Sequence, residues 1–102
     1  MARLLVLYTT PADPTAFDQH YHDVHVPLAN AIPGLQHFDI STGPILTPIG
    51  SSAFHAIATL TFPDMPTLIA GLSSPEGQAA ATDAQTLMAP GSQILLFTTH
   101  EV

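Results

Sequence analysis

Residues 17–28 read FDQHYHDVHVPL and hold His20, His22 and His25, three of the six histidines in the chain. On a helix, His25 lies one turn beyond Tyr21, so the two side chains are neighbours. An imidazole beside a phenol can pass a proton near neutral pH. His25 is therefore the candidate general acid or base, with Tyr21 and His22 beside it as further catalytic candidates. A bland reading competes, in which His25 ties a helix break to the sheet.

The same segment permits a metal reading. Asp18, His22 and His25 fall at i, i+4 and i+7, and two imidazoles with a carboxylate match the ligand types of a non-haem iron site. Three ligands from one helix seldom converge on one ion, so no metal and no cofactor is expected. His20 and His22 diverge by about 200° around a straight helix, which leaves His20 solvated.

These residues need elements to hold them. "RLLVLYTT" (3–10) reads as a first strand, with Leu4, Val6 and Tyr8 on one face and Leu5 and Leu7 on the other. A helix follows, opened by Asp13 as N-cap and Pro14 in its first turn. Phe17, Tyr21, Val24 and Leu28 recur at helical spacing as its buried stripe. Pro27 has no N–H for the carbonyl of Asp23, so a kink or an end is expected there. "LQHFDIST" (35–42) reads as a strand and "GPILTPIGSS" as a loop. "AFHAIATLTF" (53–62) alternates, with Phe54, Ala56, Ala58, Leu60 and Phe62 on one face and His55, Ile57, Thr59 and Thr61 on the other. Asp64 can cap a short helix, Ser74 and Pro75 can restart it, and "SQILLFTTHEV" closes the chain as a strand. The order is βαββαβ, a ferredoxin-like α+β fold with an antiparallel four-stranded sheet, in a single domain over residues 1–102.

Both faces of strand one are apolar, and two helices cover only one. A second copy is expected on the open sheet face, giving a homodimeric α+β barrel. Composition agrees: 46% of residues are hydrophobic and only 9% charged. A formal net charge of −7 with one basic side chain, Arg3, argues against nucleic acid as a partner. No stretch approaches the about 20 apolar residues of a membrane span, so no membrane partner is expected and the cytoplasm is the expected location. There are no cysteines. Small residues such as Ala56, Ala58, Gly71 and Ala79–Ala81 leave room between helix and sheet, or else permit close packing. A ligand cavity there would use Tyr8, Phe17, Leu28, Leu60, Phe62 and Met88 as substrate-binding side chains.

Leu7-Tyr8, Phe17-Asp18, Tyr21, His25-Val26-Pro27-Leu28 and Pro33-Gly34 together resemble the start of EthD-family proteins. The later Ser74-Pro75-Glu76-Gly77 step and Asp83 resemble the family's second helix. The resemblance implies a dimeric α+β barrel and singles out His25 again. Related barrels include cofactor-free monooxygenases, polyketide cyclases, dehydratases and lactone isomerases. The expected function is binding of an apolar, aromatic or polyketide-like small molecule, with His25 moving a proton in a cofactor-free isomerisation, cyclisation, dehydration or oxygenation. The alternative is a non-enzymatic binding or accessory protein of a catabolic or biosynthetic pathway. Scarcity of lysine and arginine argues against an acidic ligand.

Overall fold

Strand β1 (Ala2–Thr9) sets the frame, because its alternation is apolar on both sides. Ala2, Leu4, Val6 and Tyr8 are buried under the helices, while Arg3, Leu5, Leu7 and Thr9 are only half-buried on the opposite face. The computed structural model describes residues 1–102. Helical structure runs from Pro14 to Asn30 as α1 (Pro14–His20), a π-helical turn (Tyr21–His25) and α2 (Val26–Asn30). Strands β2 (His37–Ile40), β3 (Leu46–Thr47), β4 (Gly50–Ser51) and β5 (Phe54–Phe62) follow, then α3 (Met65–Ser73), α4 (Pro75–Leu87) and β6 (Gln93–Thr98). The main sheet has the order β2-β5-β1-β6, antiparallel throughout. This is the ferredoxin-like βαββαβ topology.

The expected caps are present. Oδ1 of Asp13 accepts from the Ala16 N–H at 3.1 Å, Oδ1 of Asp64 from the Thr67 N–H at 2.8 Å, and Oγ of Ser74 from the Gly77 N–H at 3.0 Å. Two departures from the expected elements are small. The 43–52 loop folds into the two-residue-per-strand hairpin β3–β4, and the last strand ends at Thr98.

The first helix departs in a way that matters. The helix neither ends nor breaks at Pro27. Just before it, the Val26 N–H reaches back five residues to the carbonyl of Tyr21. Pro27 has no N–H to continue the ordinary ladder, and the helix widens by one residue at that point. The buried positions become Phe17, Tyr21, His25 and Ala29, while Val24 is 41% exposed and Leu28 half-buried. The extra residue puts His25 where a straight helix would have put Val24.

Strand β5 carries a second irregularity. Tyr8 pairs with Ala56 and Thr9 with Phe54, so His55 is skipped. The bulge turns His55 away from Ile57, Thr59 and Thr61 and toward the helices. There its ring meets Phe17 edge-on at 5.1 Å.

Two glycines, Gly71 and Gly77, serve packing. A Cβ on Gly77 would lie 2.0 Å from the Gly71 carbonyl oxygen, and one on Gly71 would lie 2.6 Å from that of Pro33. α3 and α4 therefore meet backbone to backbone. Gly77→Ala should lower stability by about 1–3 kcal/mol through this clash, read as a fall in the urea midpoint. An unchanged midpoint would mean that the α3–α4 joint is looser than described.

Candidate active site

The widened turn aims two imidazoles at one carboxylate. His20 and His25 are five residues apart, about 140° around a regular α-helix, but nearly in line where hydrogen bonds span five residues. Both reach Asp83 on α4. Nδ1–H of His25 donates to Oδ2 of Asp83 at 2.9 Å, and Nε2–H of His20 donates to Oδ1 at 2.7 Å. The His25 side chain is 8% exposed, that of Asp83 13% and that of His20 39%. His20 is thus not a free solvated residue, as a straight helix would make it. It holds the outer oxygen of a shared carboxylate.

The bond to Asp83 fixes the tautomer of His25. Nδ1 carries the proton, and Nε2 makes no hydrogen bond within the chain. His25 also lines a cavity of about 110 Å³ between helices and sheet. The other walls include Leu4, Val6, Leu60, Ala80 and Ala84, with Tyr8 and Tyr21. Ile94 also lines the cavity and is 42% exposed. An apolar cavity of ~150 Å³ holds benzene, so this one suits the end of a small molecule.

Tyr8 and Tyr21 supply the polar groups. Their rings meet edge-on at 5.8 Å, and Tyr21 lies 4.9 Å from the His25 ring. Both hydroxyls are buried without a hydrogen-bond partner. A buried hydroxyl left unpaired costs about 1–3 kcal/mol, so two on neighbouring tyrosines that line one cavity call for an acceptor. Burial, and secondarily the Asp83 charge, pushes the Tyr8 phenol well above its ordinary range. Burial, and secondarily Tyr8, does the same for Tyr21. Both stay neutral O–H donors across the physiological range.

The remaining candidates are spread around this centre. Leu60 lines the cavity. Phe17 does not, but it packs edge-on against Tyr8 at 5.2 Å and stacks on Tyr21 at 5.8 Å. Phe62 is fully buried against Gly34 and Gly71, and Leu28 and Met88 pack on the core; none of the three lines the cavity. His22 is exposed, its ring edge-on to Tyr21 at 5.9 Å, and it faces a separate outer cleft rather than Asp83. Asp18, His22 and His25 do not share a ligand set: Asp18 bonds His55 at 2.7 Å and His25 bonds Asp83. Spacing could not have found Asp83 as the partner of His25, because it is 58 positions away. Its sequence signals are a carboxylate amid the alanines of α4 and its place in the resemblance to the family's second helix.

An EthD domain model matches residues 9–91. An uncharacterised 11.0 kDa protein of the thcB–thcC intergenic region in Rhodococcus erythropolis is 40% identical over 99% of this chain and 96% of its own length. The crystal structure of an EthD-family protein from Bacillus halodurans superposes with a TM-score of 0.89 at 29% identity, covering 98% of this chain and 99% of that one. SnoaB, a cofactor-independent oxygenase from Streptomyces nogalater, shares the fold at a TM-score of 0.70 and 15% identity, over 99% of this chain and 94% of its own. The chain belongs to the EthD family.

Tyr8 and Tyr21 are the only tyrosines, so the phenolate absorption of the whole protein reports on this wall. Below the ordinary value of 10.0 both folded and unfolded chains keep these protons, and stability is unaffected. Above it the unfolded chain releases protons that the folded chain retains, so stability falls as pH rises. Phenolate absorption should therefore appear together with loss of ellipticity, not before it. A phenolate band rising near pH 10 with native ellipticity intact would contradict the burial of both hydroxyls.

Proposed function

We propose that this EthD-family member binds an apolar small molecule carrying a carbonyl oxygen at its buried end, and that His25 moves a proton on it. The observation that carries the reading is the Asp83–His25 pair beside an apolar cavity whose lining residues include His25 and two tyrosines with unpaired buried hydroxyls. Nε2 of His25 takes a proton from the carbon next to the carbonyl. Tyr8 and Tyr21 donate hydrogen bonds to the oxygen as it gains negative charge, the arrangement that favours such a transition state. The same imidazole returns the proton at a second carbon, which completes an isomerisation. Cyclisation, dehydration and cofactor-free oxygenation share that first deprotonation. Asp83 acts as a positioning residue: it keeps the proton on Nδ1 and the ring facing the cavity. The apolar walls and the absence of lysine and arginine among the lining residues favour a neutral ligand, aromatic or polyketide-like in its carbon frame.

Conversion of unconjugated cyclohexenone to its conjugated isomer tests this, read from the ultraviolet band of the product. His25→Gln should lower turnover by about 100-fold or more, and Asp83→Asn by about tenfold or more, in kcat rather than KM. Turnover that survives His25→Gln unchanged removes the general base and leaves a binding or accessory protein.

The protein is also proposed to act as a homodimer through the open sheet face. Leu5, Leu7, Ile57, Leu95 and Phe97 share that face by register, with Leu95 43% and Phe97 38% exposed. Nε of Arg3, on the same face, is buried without a partner. Such a patch fits an interface. Sedimentation should give a dimer at micromolar concentration and a monomer for Leu95→Glu. A monomeric wild-type chain would sink this assembly.

A further inference from the structure

The outer cleft is larger and chemically different from the cavity at His25. Its volume is about 550 Å³, within the ~300–1,000 Å³ of small-molecule sites. Tyr21 is the one side chain that lines both spaces. The cleft runs between α1 with its π-helical turn on one side and the β2–β3 loop and the start of β5 on the other.

The chemistry of its walls is specific. Nε2–H of His55 donates to Oδ1 of Asp18 at 2.7 Å. That leaves Nδ1 of His55 and Oδ2 of Asp18 without partners, both of them acceptors. The hydroxyls of Thr42 and Ser51 also line the cleft and bond to nothing within the chain. Ile40, Ile45 and Phe54, half-buried along the cleft, supply an apolar wall beside these groups. His55 is here only because the β-bulge turns it out of the open sheet face. No lysine or arginine lines the cleft, and the Asp18 carboxylate would repel an anion.

We infer that the outer cleft is a binding subsite for the hydroxylated part of a neutral aromatic ligand, whose O–H groups are received by Asp18 and His55 while its ring lies along Ile40, Ile45 and Phe54. The inference rests on the functional reading above and extends it. The carbonyl end occupies the cavity at His25, and the oxygenated remainder occupies the cleft. The substrate class is then a hydroxylated, neutral polycyclic aromatic carbonyl compound.

Dihydroxynaphthalene and naphthalene are the probes, titrated into the full protein while backbone amide resonances are followed. Dihydroxynaphthalene should shift the amides of Thr42, Ser51 and His55, and should bind about tenfold tighter than naphthalene. Asp18→Asn and His55→Gln, both conservative and at a partly exposed site, should each reduce that preference to about twofold or less. An unchanged preference in both variants overturns the subsite. So does the lack of any saturable shift at His55 and Ser51 at millimolar probe, or a response confined to Ala80 and Ala84. Shifts at the cleft without any at Ala80 and Ala84 support the subsite and count instead against ligand entry into the cavity at His25.

Discussion

The carboxylate of Asp83 joins the first helical run to α4, and it does so through two imidazoles at once. His20 takes one oxygen at 2.7 Å and His25 the other at 2.9 Å. A regular helix would not form both bonds at once, because residues five apart would point in different directions. The π-helical turn before Pro27 removes that conflict by inserting one residue. A single local irregularity therefore sets the helix register, the buried stripe and the donor geometry of the site. π-helical turns often mark functional sites, and here the physical reason is visible.

The consequence is a polar centre placed inside an apolar layer. His25 and Asp83 are nearly buried, but their bond satisfies only one nitrogen of the ring. The two tyrosines beside them have buried hydroxyls with no partner. A core that served stability alone would have replaced these groups or paired them. Desolvation holds both phenols neutral, so they can donate but do not release their protons. A donor pair and an unpaired imidazole nitrogen on residues that line one cavity are complementary in chemistry to an oxygen acceptor and an acidic C–H. The alanines of α4, Ala80 and Ala84, leave the space for such a molecule. Gly71 and Gly77 do the opposite work and let backbones touch.

Much of this was legible from the chain. The two-sided apolarity of β1, the caps at Asp13, Asp64 and Ser74, and the alternation of β5 are enough to give the βαββαβ order. The spacing of Tyr21 and His25 is enough to single out the histidine. What the spacing could not give is the π-helical turn. A stripe counted at the ordinary helical period selects Val24 and Leu28, and the structure buries His25 and Ala29 instead. The signal for the turn was Pro27, which reads as a break until the five-residue hydrogen bond is known. The positions of His20 and His55 escape the regular period for the same kind of reason. Each is redirected by one extra residue, in a helix or in a strand, and hydrophobic period carries no record of such insertions. Asp83 is a different case, since a partner across 58 positions is set by tertiary packing alone.

The two irregularities act on the same wall. One extra residue in the helix brings His25 to Asp83, and one extra residue in β5 brings His55 to Asp18. Each inserts an imidazole into the layer between helices and sheet, and each imidazole donates to a carboxylate from a different helical element. The aromatic rings of His55, Phe17, Tyr21 and His25 then follow one another at 5.1, 5.8 and 4.9 Å along that layer. A straight helix and an unbulged strand would have broken this row at both ends, exposing His25 beside the stripe and turning His55 to the open sheet face. Regular elements would have packed as well and presented less chemistry. The departures from regularity are thus what turn an ordinary helix-on-sheet core into a lined site.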